Sequence, residues 1–271
     1  LLRNDDGNFT DVTAQSNTAD TGYGMGIAVG DFNNDSFVDM YITNVGQNVL
    51  LKNNGDGTFE DVTEHAGVGD EGWGASTAFA DFDNDGDLDL YATNYLVRSE
   101  GSELECFNPK GLRDYCSPVN YMAPARDLLY RNNGDGTFTD VSESAGIGSR
   151  LGTGLGVLCN DYTGDGFIDI FVANDGMADQ LWMNNNDWTF TDVAPLRGCA
   201  LDDEGQAKAG MGLTSADFDA DGDFDILVCN LFGESDSLHR NDGSFFTDIT
   251  ASKGIRTSTR HATRFGLGWV D

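Results

Sequence analysis

Four nine-residue acidic stretches constrain the fold of this chain more than any other feature. They read DFNNDSFVD at 31–39, DFDNDGDLD at 81–89, DYTGDGFID at 161–169 and DFDADGDFD at 217–225, and we call them acidic loops 1 to 4. Oxygen-bearing side chains stand at the first, third, fifth and ninth positions of all four loops. Glycine stands at the sixth position in three loops, and Ser36 replaces it in loop 1. Because the pattern recurs, the chain is interpreted as a repeat protein.

The sequence around each acidic loop also repeats, with a period of about fifty residues once one insertion is removed. A glycine-rich segment and a short run of small and apolar residues precede the loop, and three β-rich runs follow it. The last two runs flank turns such as NNGDG at 53–57, whose residues accept the positive φ of a hairpin. No segment has a sustained helical period. Four strands per repeat predict an all-β fold, a β-propeller of four-stranded antiparallel blades with each acidic loop between the first and second strands.

The predicted organisation is one β-propeller, or a fragment of one, over residues 1–271. The second repeat carries an insertion at 95–126. The chain starts and stops within the repeat pattern, so we interpret it as an internal piece of a longer protein. The predicted parts are a half blade at 1–13, blades at 22–63, 72–142, 152–193 and 210–250, and the start of a further blade at 264–271.

The charge of the chain narrows the range of partners. It has 46 acidic and 15 basic side chains, which gives a formal net charge of −31. A surface of this charge repels phosphate groups, so nucleic acids and anionic membranes are not expected as partners. No apolar run is long enough for a transmembrane helix, so no membrane insertion is predicted. The same charge attracts cations.

The spacing of oxygen atoms in the acidic loops predicts calcium binding. Calcium takes about six to eight oxygen ligands, and a short loop with oxygens at alternate positions can surround one ion. We expect the seventh residue to add its backbone carbonyl, the sixth to allow a sharp turn, and the apolar eighth residue to tie the loop to the core. The predicted ligands are Asp31, Asn33, Asp35, Phe37 and Asp39 in loop 1; Asp81, Asp83, Asp85, Asp87 and Asp89 in loop 2; Asp161, Thr163, Asp165, Phe167 and Asp169 in loop 3; and Asp217, Asp219, Asp221, Asp223 and Asp225 in loop 4.

Four calcium ions are therefore expected, one in each acidic loop. Ser36 lacks the freedom of glycine and Thr163 is a neutral ligand, so loops 1 and 3 are expected to bind more weakly than loops 2 and 4. Magnesium is the alternative cation, although it demands a stricter octahedral geometry and keeps its waters. The loops differ from EF-hand loops, which have twelve residues and lie between helices.

Five cysteines are present, and two of them lie close together in the insertion. Cys106 and Cys116 flank a stretch rich in polar and turn-forming residues, which favours a disulfide that closes a loop in an oxidising compartment. Two free thiols are the alternative. An odd number of cysteines leaves at least one of Cys159, Cys199 and Cys229 without a partner in the chain.

The acidic loops and the glycine-rich segments before them resemble FG-GAP/VCBS repeats, the calcium-bearing blades of integrin α-subunit propellers and many secreted bacterial proteins. The stretches NNGDGTFEDVT at 53–63 and NNGDGTFTDVS at 132–142, with YCSP at 115–118, resemble the cartilage acidic protein/UnbV-like branch. The resemblance implies seven blades in the parent protein, calcium in the blade loops, and an extracellular, cell-surface or periplasmic location. Ser36, Thr163 and the turn NNNDW at 184–188 depart from the pattern.

The sequence predicts a binding module and no enzyme. His65, His239 and His261 are scattered, and neither a Gly-x-Ser-x-Gly nor a His-Glu-x-x-His motif occurs. The predicted function is a calcium-stabilised extracellular module for binding, adhesion or scaffolding, whose protein ligand would contact one propeller face and the insertion at 95–126.

Two alternatives remain open. One is a carbohydrate-binding propeller, in which tryptophans stack on sugars, although the strand positions of these side chains favour core packing. The other is self-assembly into an extracellular filament or surface layer. The tryptophans are Trp73, Trp182, Trp188 and Trp269.

Overall fold

Each acidic repeat forms one four-stranded antiparallel sheet in the computed structural model, which describes residues 1–98, 101 and 103–269. The strands, in chain order, are β1 (Leu2–Asp5), β2 (Asn8–Asp11), β3 (Gly24–Gly30), β4 (Asp39–Asn44), β5 (Gly46–Asn53), β6 (Phe59–Asp61), β7 (Gly74–Ala80), β8 (Asp89–Asn94), β9 (Cys106–Phe107), β10 (Arg113–Asp114), β11 (Leu128–Asn132), β12 (Phe138–Asp140), β13 (Gly154–Asn160), β14 (Asp169–Asn174), β15 (Gln180–Asn184), β16 (Phe190–Asp192), β17 (Leu213–Ala216), β18 (Asp225–Val228), β19 (Ser237–Asn241) and β20 (Phe246–Asp248).

The strand order makes each sheet a simple up-and-down blade. Blade 1 is β3-β4-β5-β6, blade 2 is β7-β8-β11-β12, blade 3 is β13 to β16 and blade 4 is β17 to β20. The hairpins β1-β2 and β9-β10 stand apart from the blades. The all-β fold of four-stranded blades predicted from the sequence is confirmed.

Helical structure in the described residues is limited to single short turns, most of which lie between blades. None of the helices in the described residues is long and apolar enough to cross a membrane. The helices are α1 (Thr63–Ala66), α2 (Ala194–Arg197) and α3 (Ile255–Ser258), and 3-10 turns lie at Pro118–Tyr121 and Ile147–Ser149.

The first strands of successive blades lie against each other, β3 against β7, β7 against β13 and β13 against β17. Glycines allow this approach. A Cβ atom on Gly26 would lie 2.5 Å from the carbonyl oxygen of Ala75, and one on Gly156 or Gly212 would collide with a backbone carbonyl of the next segment. The glycine-rich segments therefore serve backbone contact between blades and need no ligand to explain them.

The hydrophobic core lies between blades. Tyr41 and Leu50 of blade 1 share one buried cluster with Leu90 and Leu128 of blade 2, and similar clusters join blade 2 to blade 3 and blade 3 to blade 4. Each fully buried side chain of this size contributes about 1.5–3 kcal/mol to stability. An aromatic pair repeats at each boundary, as in Phe82–Phe190, whose rings are 5.7 Å apart and perpendicular.

Neither end of the chain forms a complete four-stranded blade in the described residues. Residues 1–13, predicted as a half blade, form the exposed hairpin β1-β2. The start of a blade was predicted at 264–271, and its described part, 264–269, contains no strand. Even so, the carbonyl of Phe265 lies against Gly212, and Trp269 stacks on Phe218 with ring centroids 6.3 Å apart. Val270 and Asp271 lie outside the described residues.

The second strand of blades 1 to 3 ends in an asparagine whose backbone N–H donates to a polar side chain near the start of the third strand. In blade 2 the backbone N–H of Asn94 donates to Asp127 at 2.9 Å, and the hydroxyl of Tyr91 donates to the same carboxyl at 2.9 Å. Blade 1 uses Asn48 at the equivalent position. Burial raises the pKa of Asp127 to about 7. Blade 2 therefore holds a titratable group where blade 1 has a neutral amide.

Replacement of Asp127 with Asn should make the protein less sensitive to alkaline pH. The pKa of Asp127 in the folded protein lies above the ordinary value of 3.8. Its carboxyl therefore contributes its full stabilisation below pH 3.8 and loses it as the pH rises to about 7. As the pH rises from 5 to 8, the free energy of unfolding of D127N should increase by roughly 2 kcal/mol relative to that of the parent protein. Thermal or urea unfolding at a series of pH values measures this difference. The reverse change in blade 1, N48D, should lose stability as pH rises. A parallel pH profile for D127N and the parent would contradict the assignment.

Candidate metal centres

The acidic loops lie side by side on one face, because each joins the same ends of the first and second strands of its blade. Contacts between neighbouring loops run through the fourth position. The Nδ2 of Asn34 donates to Asp87 at 2.6 Å, and the Nδ2 of Asn84 donates to the carbonyl of Gly166 at 3.1 Å. Loops 1, 2 and 3 thus form one continuous acidic rim.

Each acidic loop wraps around the carboxylate at its first position, which accepts backbone hydrogen bonds from later residues of the loop. In loop 2 the oxygens of Asp81 accept the backbone N–H groups of Asp85 at 3.1 Å and Gly86 at 3.0 Å, and the other loops repeat this pair. The wrapping requires positive φ at two positions. The sixth was expected from its glycines, but the fourth was missed, and there Asn84 has φ 59° and Ala220 has φ 62°.

The carboxylate at the ninth position is buried and bound on both oxygens. Asp89 is 2% exposed and accepts the backbone N–H of Phe82 at 3.1 Å and of Asn132 at 2.8 Å. The equivalent residues in the other loops accept the same two bonds. Burial raises the pKa of Asp89 to about 7 and that of Asp39 to about 6. A nearby cation would favour their charged forms and offset this cost.

Loops 2 and 4 bring three carboxylates together, as a metal centre requires. One oxygen from each of Asp81, Asp83 and Asp89 lies within 4.8 Å of the others, and Asp217, Asp219 and Asp225 in loop 4 do the same. Within the described part of the chain, no lysine or arginine forms a salt bridge with either loop. Three close carboxylates without a basic partner repel one another unless a cation lies among them.

Loops 1 and 3 have fewer carboxylates because Asn33 and Thr163 stand at the third position. In loop 1 a basic side chain is also within reach, since the Nζ of Lys52 lies 3.8 Å from Asp35. These differences agree in direction with the weaker binding expected from the sequence. The backbone carbonyls expected as ligands, at Phe37, Asp87, Phe167 and Asp223, stay a prediction.

The expected role of the eighth residue is wrong for two loops. Val38 is 54% exposed and Phe224 is 38% exposed, so neither ties its loop to the core. The second residue does so instead, since Phe32, Phe82 and Tyr162 are at most 3% exposed. The aromatic residue at this position in every loop was the signal that could have identified the anchor.

The insertion lies on the face opposite the acidic loops. Trp73 precedes β7 and Tyr95 follows β8, whereas loop 2 joins the other ends of these strands. Cys106 and Cys116 form the expected disulfide, with Cα atoms 5.2 Å apart, and clamp the hairpin β9-β10. The remaining cysteines are free thiols, Cys159, Cys199 and Cys229.

The insertion and blade 2 enclose a cleft of about 410 Å³ that the sequence did not locate. Its walls include Trp73, Tyr95, Tyr121 and Tyr115, and the guanidinium of Arg98 lies 5.8 Å from the Trp73 ring centroid. Such aromatic walls with a few polar groups are typical of ligand clefts.

The tryptophans do not all pack in the core as their strand positions indicated. Trp182 is 3% exposed and does lie in the core between blades 2 and 3. Trp269 is 42% exposed, and Trp188 lies at the edge of acidic loop 2. Core packing therefore explains only part of this set.

Comparison with known proteins agrees with the repeat. Residues 31–92 and 161–228 match the FG-GAP-like repeat model, and each match contains two complete or partial blades with their acidic loops. Cartilage acidic protein 1 of Xenopus tropicalis is 27% identical over 145 residues, which cover 54% of this chain and 20% of that protein. The human protein of the same name is 26% identical over 148 residues, 54% of this chain and 19% of that protein. The aligned region thus spans about one fifth of these relatives.

One solved structure covers more of the chain at a low level of similarity. It is an Agrocybe aegerita lectin described as recognising non-reducing terminal N-acetylglucosamine. It has 18% identity and a TM-score of 0.31, and the match covers 84% of this chain and 65% of the lectin.

Replacement of Ala220 with Gly should stabilise loop 4. An alanine at φ 62° carries a steric cost of about 1 kcal/mol that glycine does not. Chemical unfolding in the presence of a chelator should show A220G more stable by about that amount. Ala216 lies in β17 of the same blade at negative φ, so A216G should instead destabilise the protein. Equal effects of the two changes would argue against strain at the fourth position.

Proposed function

For a chain that contains FG-GAP-like repeats, we propose the function of a calcium-stabilised extracellular binding module. The observation that carries the proposal is the pair of three-carboxylate clusters in loops 2 and 4, which form no salt bridge within the described residues. Calcium would be held by the side chains at the first, third, fifth and ninth positions and by the carbonyl of the seventh residue. Loops 1 and 3 would hold further ions more weakly, for a total of four, and magnesium would be the poorer substitute.

The ions would act as structural ligands. Calcium would bind the folded loops and not the unfolded chain, so each occupied loop would add on the order of 1 kcal/mol at millimolar calcium. The added stability would act at the blade boundaries, because the ninth-position carboxylate also binds the third strand, whose asparagine contacts the preceding blade.

The disulfide of the insertion supports an extracellular, cell-surface or periplasmic location. Disulfides such as that of Cys106 and Cys116 form and persist in oxidising compartments and are rare in the cytosol. The strongly acidic surface and the calcium loops suit the millimolar calcium outside cells.

The ligand-binding surface would be the cleft beside the insertion. It is aromatic, and it lies on the face away from the acidic loops, where ligand binding would not compete with the ions. The surrounding insertion exposes further apolar side chains, including Tyr115 at 99% and Met122 at 88% exposure, which suits a protein ligand and a role in adhesion or scaffolding. No catalytic role is proposed, and His239 fits this view because burial lowers its pKa to about 4.

The second candidate is glycan binding in the same cleft. Trp73 and Tyr95 pack edge to face with centroids 5.1 Å apart, and Arg98 and Glu103 offer hydrogen bonds beside them. Aromatic faces with adjacent polar groups suit sugars as well as protein side chains. Self-assembly would need the exposed edges of blades 1 and 4 and is a third arrangement.

Removal of calcium should lower the melting temperature of the intact protein. With four sites, EDTA should cost several kcal/mol in total relative to millimolar calcium, and magnesium should restore only part of it. Differential scanning calorimetry at fixed ionic strength, with EDTA followed by excess calcium, measures this directly. An identical melting temperature with EDTA and with calcium would refute the calcium proposal.

Replacement of Trp73 with Ala should weaken ligand binding at the cleft by at least tenfold, because it removes one aromatic wall. Tyr23 stands at the equivalent position in blade 1, is 71% exposed and does not line the cleft, so Y23A is the matched control. A panel of neutral oligosaccharides, followed by tryptophan emission, separates the two ligand classes. Saturable binding that W73A abolishes would favour a glycan, and no binding to the parent protein would exclude it.

A further inference from the structure

Acidic loops 1 and 2 each lie beside a hairpin turn of the next blade. Residues 134–136 of blade 2 lie opposite loop 1, where they line a cavity of about 600 Å³ together with Asn33, Asp35 and Lys52. The turn of blade 3 faces loop 2 in the same way. The two turns have the same register, because Asn132 pairs with Phe138 and Asn184 pairs with Phe190.

The two turns differ at one position. Gly136 has φ 87°, whereas Trp188 stands at the same place with φ 64°. A bulky residue in the left-handed region is an outlier that costs free energy, and such strain often serves a function.

In this left-handed conformation, Trp188 contacts the carboxylate cluster of loop 2. Its Nε1 donates to Oδ2 of Asp83 at 3.0 Å, across the boundary between blades 3 and 2. The other oxygen of Asp83 accepts the backbone N–H of Asp85 at 3.3 Å. Both oxygens of this predicted ligand are therefore fixed in direction before an ion binds.

The same indole also holds a basic side chain. The guanidinium of Arg131 lies 5.5 Å from the Trp188 ring centroid, the distance of a cation–π contact. Arg131 and Lys52 occupy the same position in β11 and β5, one residue before the asparagine that ends the strand. Lys52 has no tryptophan beside it and reaches the fifth-position carboxylate of loop 1. Arg131 makes no such ion pair within the described residues.

We propose that Trp188 is a positioning residue for acidic loop 2, which orients Asp83 and keeps Arg131 off the carboxylates. The metal centre of blade 2 is then completed by a side chain of blade 3, and the ion in loop 2 stabilises the boundary between these blades. This inference rests on the proposed function, since it concerns a metal ion in the loop.

The test is a calcium titration of the intact protein by calorimetry against a competing chelator. In W188G one site should lose at least tenfold in affinity, as loss of a hydrogen bond to a metal ligand typically causes, while the other sites keep theirs. Glycine suits the left-handed turn, as at Gly136, but W188G also loses the packing of Trp188 against the core between blades 2 and 3, so its stability without calcium is measured beside its affinity. W188F keeps an aromatic ring near Arg131 and removes the N–H, so it should show a smaller loss.

Two further variants separate the contributions. In W188G the guanidinium of Arg131 is free to approach loop 2, so W188G with R131Q should recover part of the lost affinity. Trp182 is a buried tryptophan of the same blade whose Nε1 has no hydrogen-bond partner among the described residues, and W182F is the matched control. Calcium should change the indole emission of the parent protein and of W182F by more than that of W188F, which retains only Trp269, stacked on Phe218 of loop 4, beside an acidic loop.

The outcomes are distinct. Unchanged affinities in both W188G and W188F, with calcium still bound by the parent protein, would overturn the positioning role and leave the proposed function intact. Absence of calcium binding in the parent protein would overturn both. If W188G does not fold, W188F and its emission carry the test.

Discussion

The structure depends on a buried carboxylate that binds backbone from two directions. Asp89 accepts one N–H from the start of its own loop and one from Asn132 in the third strand of the blade. The side chain of Asn132 then donates to the carbonyl of Phe32 in the preceding blade at 2.8 Å. Asn184 and Asn241 make the same contact across the next two boundaries, to Phe82 and Tyr162. A short chain of hydrogen bonds thus links each acidic loop to the packing of its blade against the one before.

That arrangement explains why structure and metal chemistry share the same residues. Burial of a charged carboxylate at the ninth position has a desolvation cost, and the hydrogen bonds from two backbone N–H groups offset only part of it. The cost falls further when a cation joins the neighbouring carboxylates. The acidic loops therefore link the strands and blades of the fold, and the same buried carboxylates give them their capacity to bind ions.

The sequence predicted the blades, the loops and the disulfide because each depends on local pattern. Alternate oxygens, Asn-Gly turns and two nearby cysteines are visible within about ten residues. The left-handed fourth position was missed although Asn34, Asn84 and Gly164 are residue types that favour it, because Ala220 in loop 4 breaks the pattern. The contact of Trp188 with Asp83 joins residues 105 positions apart and depends on how two blades meet. The cleft beside the insertion is likewise a product of long-range packing.

The glycines between the first strands have a wider consequence for how such a chain can change. At Gly26, Gly156 and Gly212 backbone meets backbone, so the distance between neighbouring blades is set by the thickness of the main chain alone. Side chains cannot be enlarged there to adjust the curvature of the array. Additional sequence can therefore be accommodated only above or below the blades, and the disulfide-clamped hairpin of the insertion occupies one of these two faces. New recognition surfaces in this architecture have to be built outward from the strand ends.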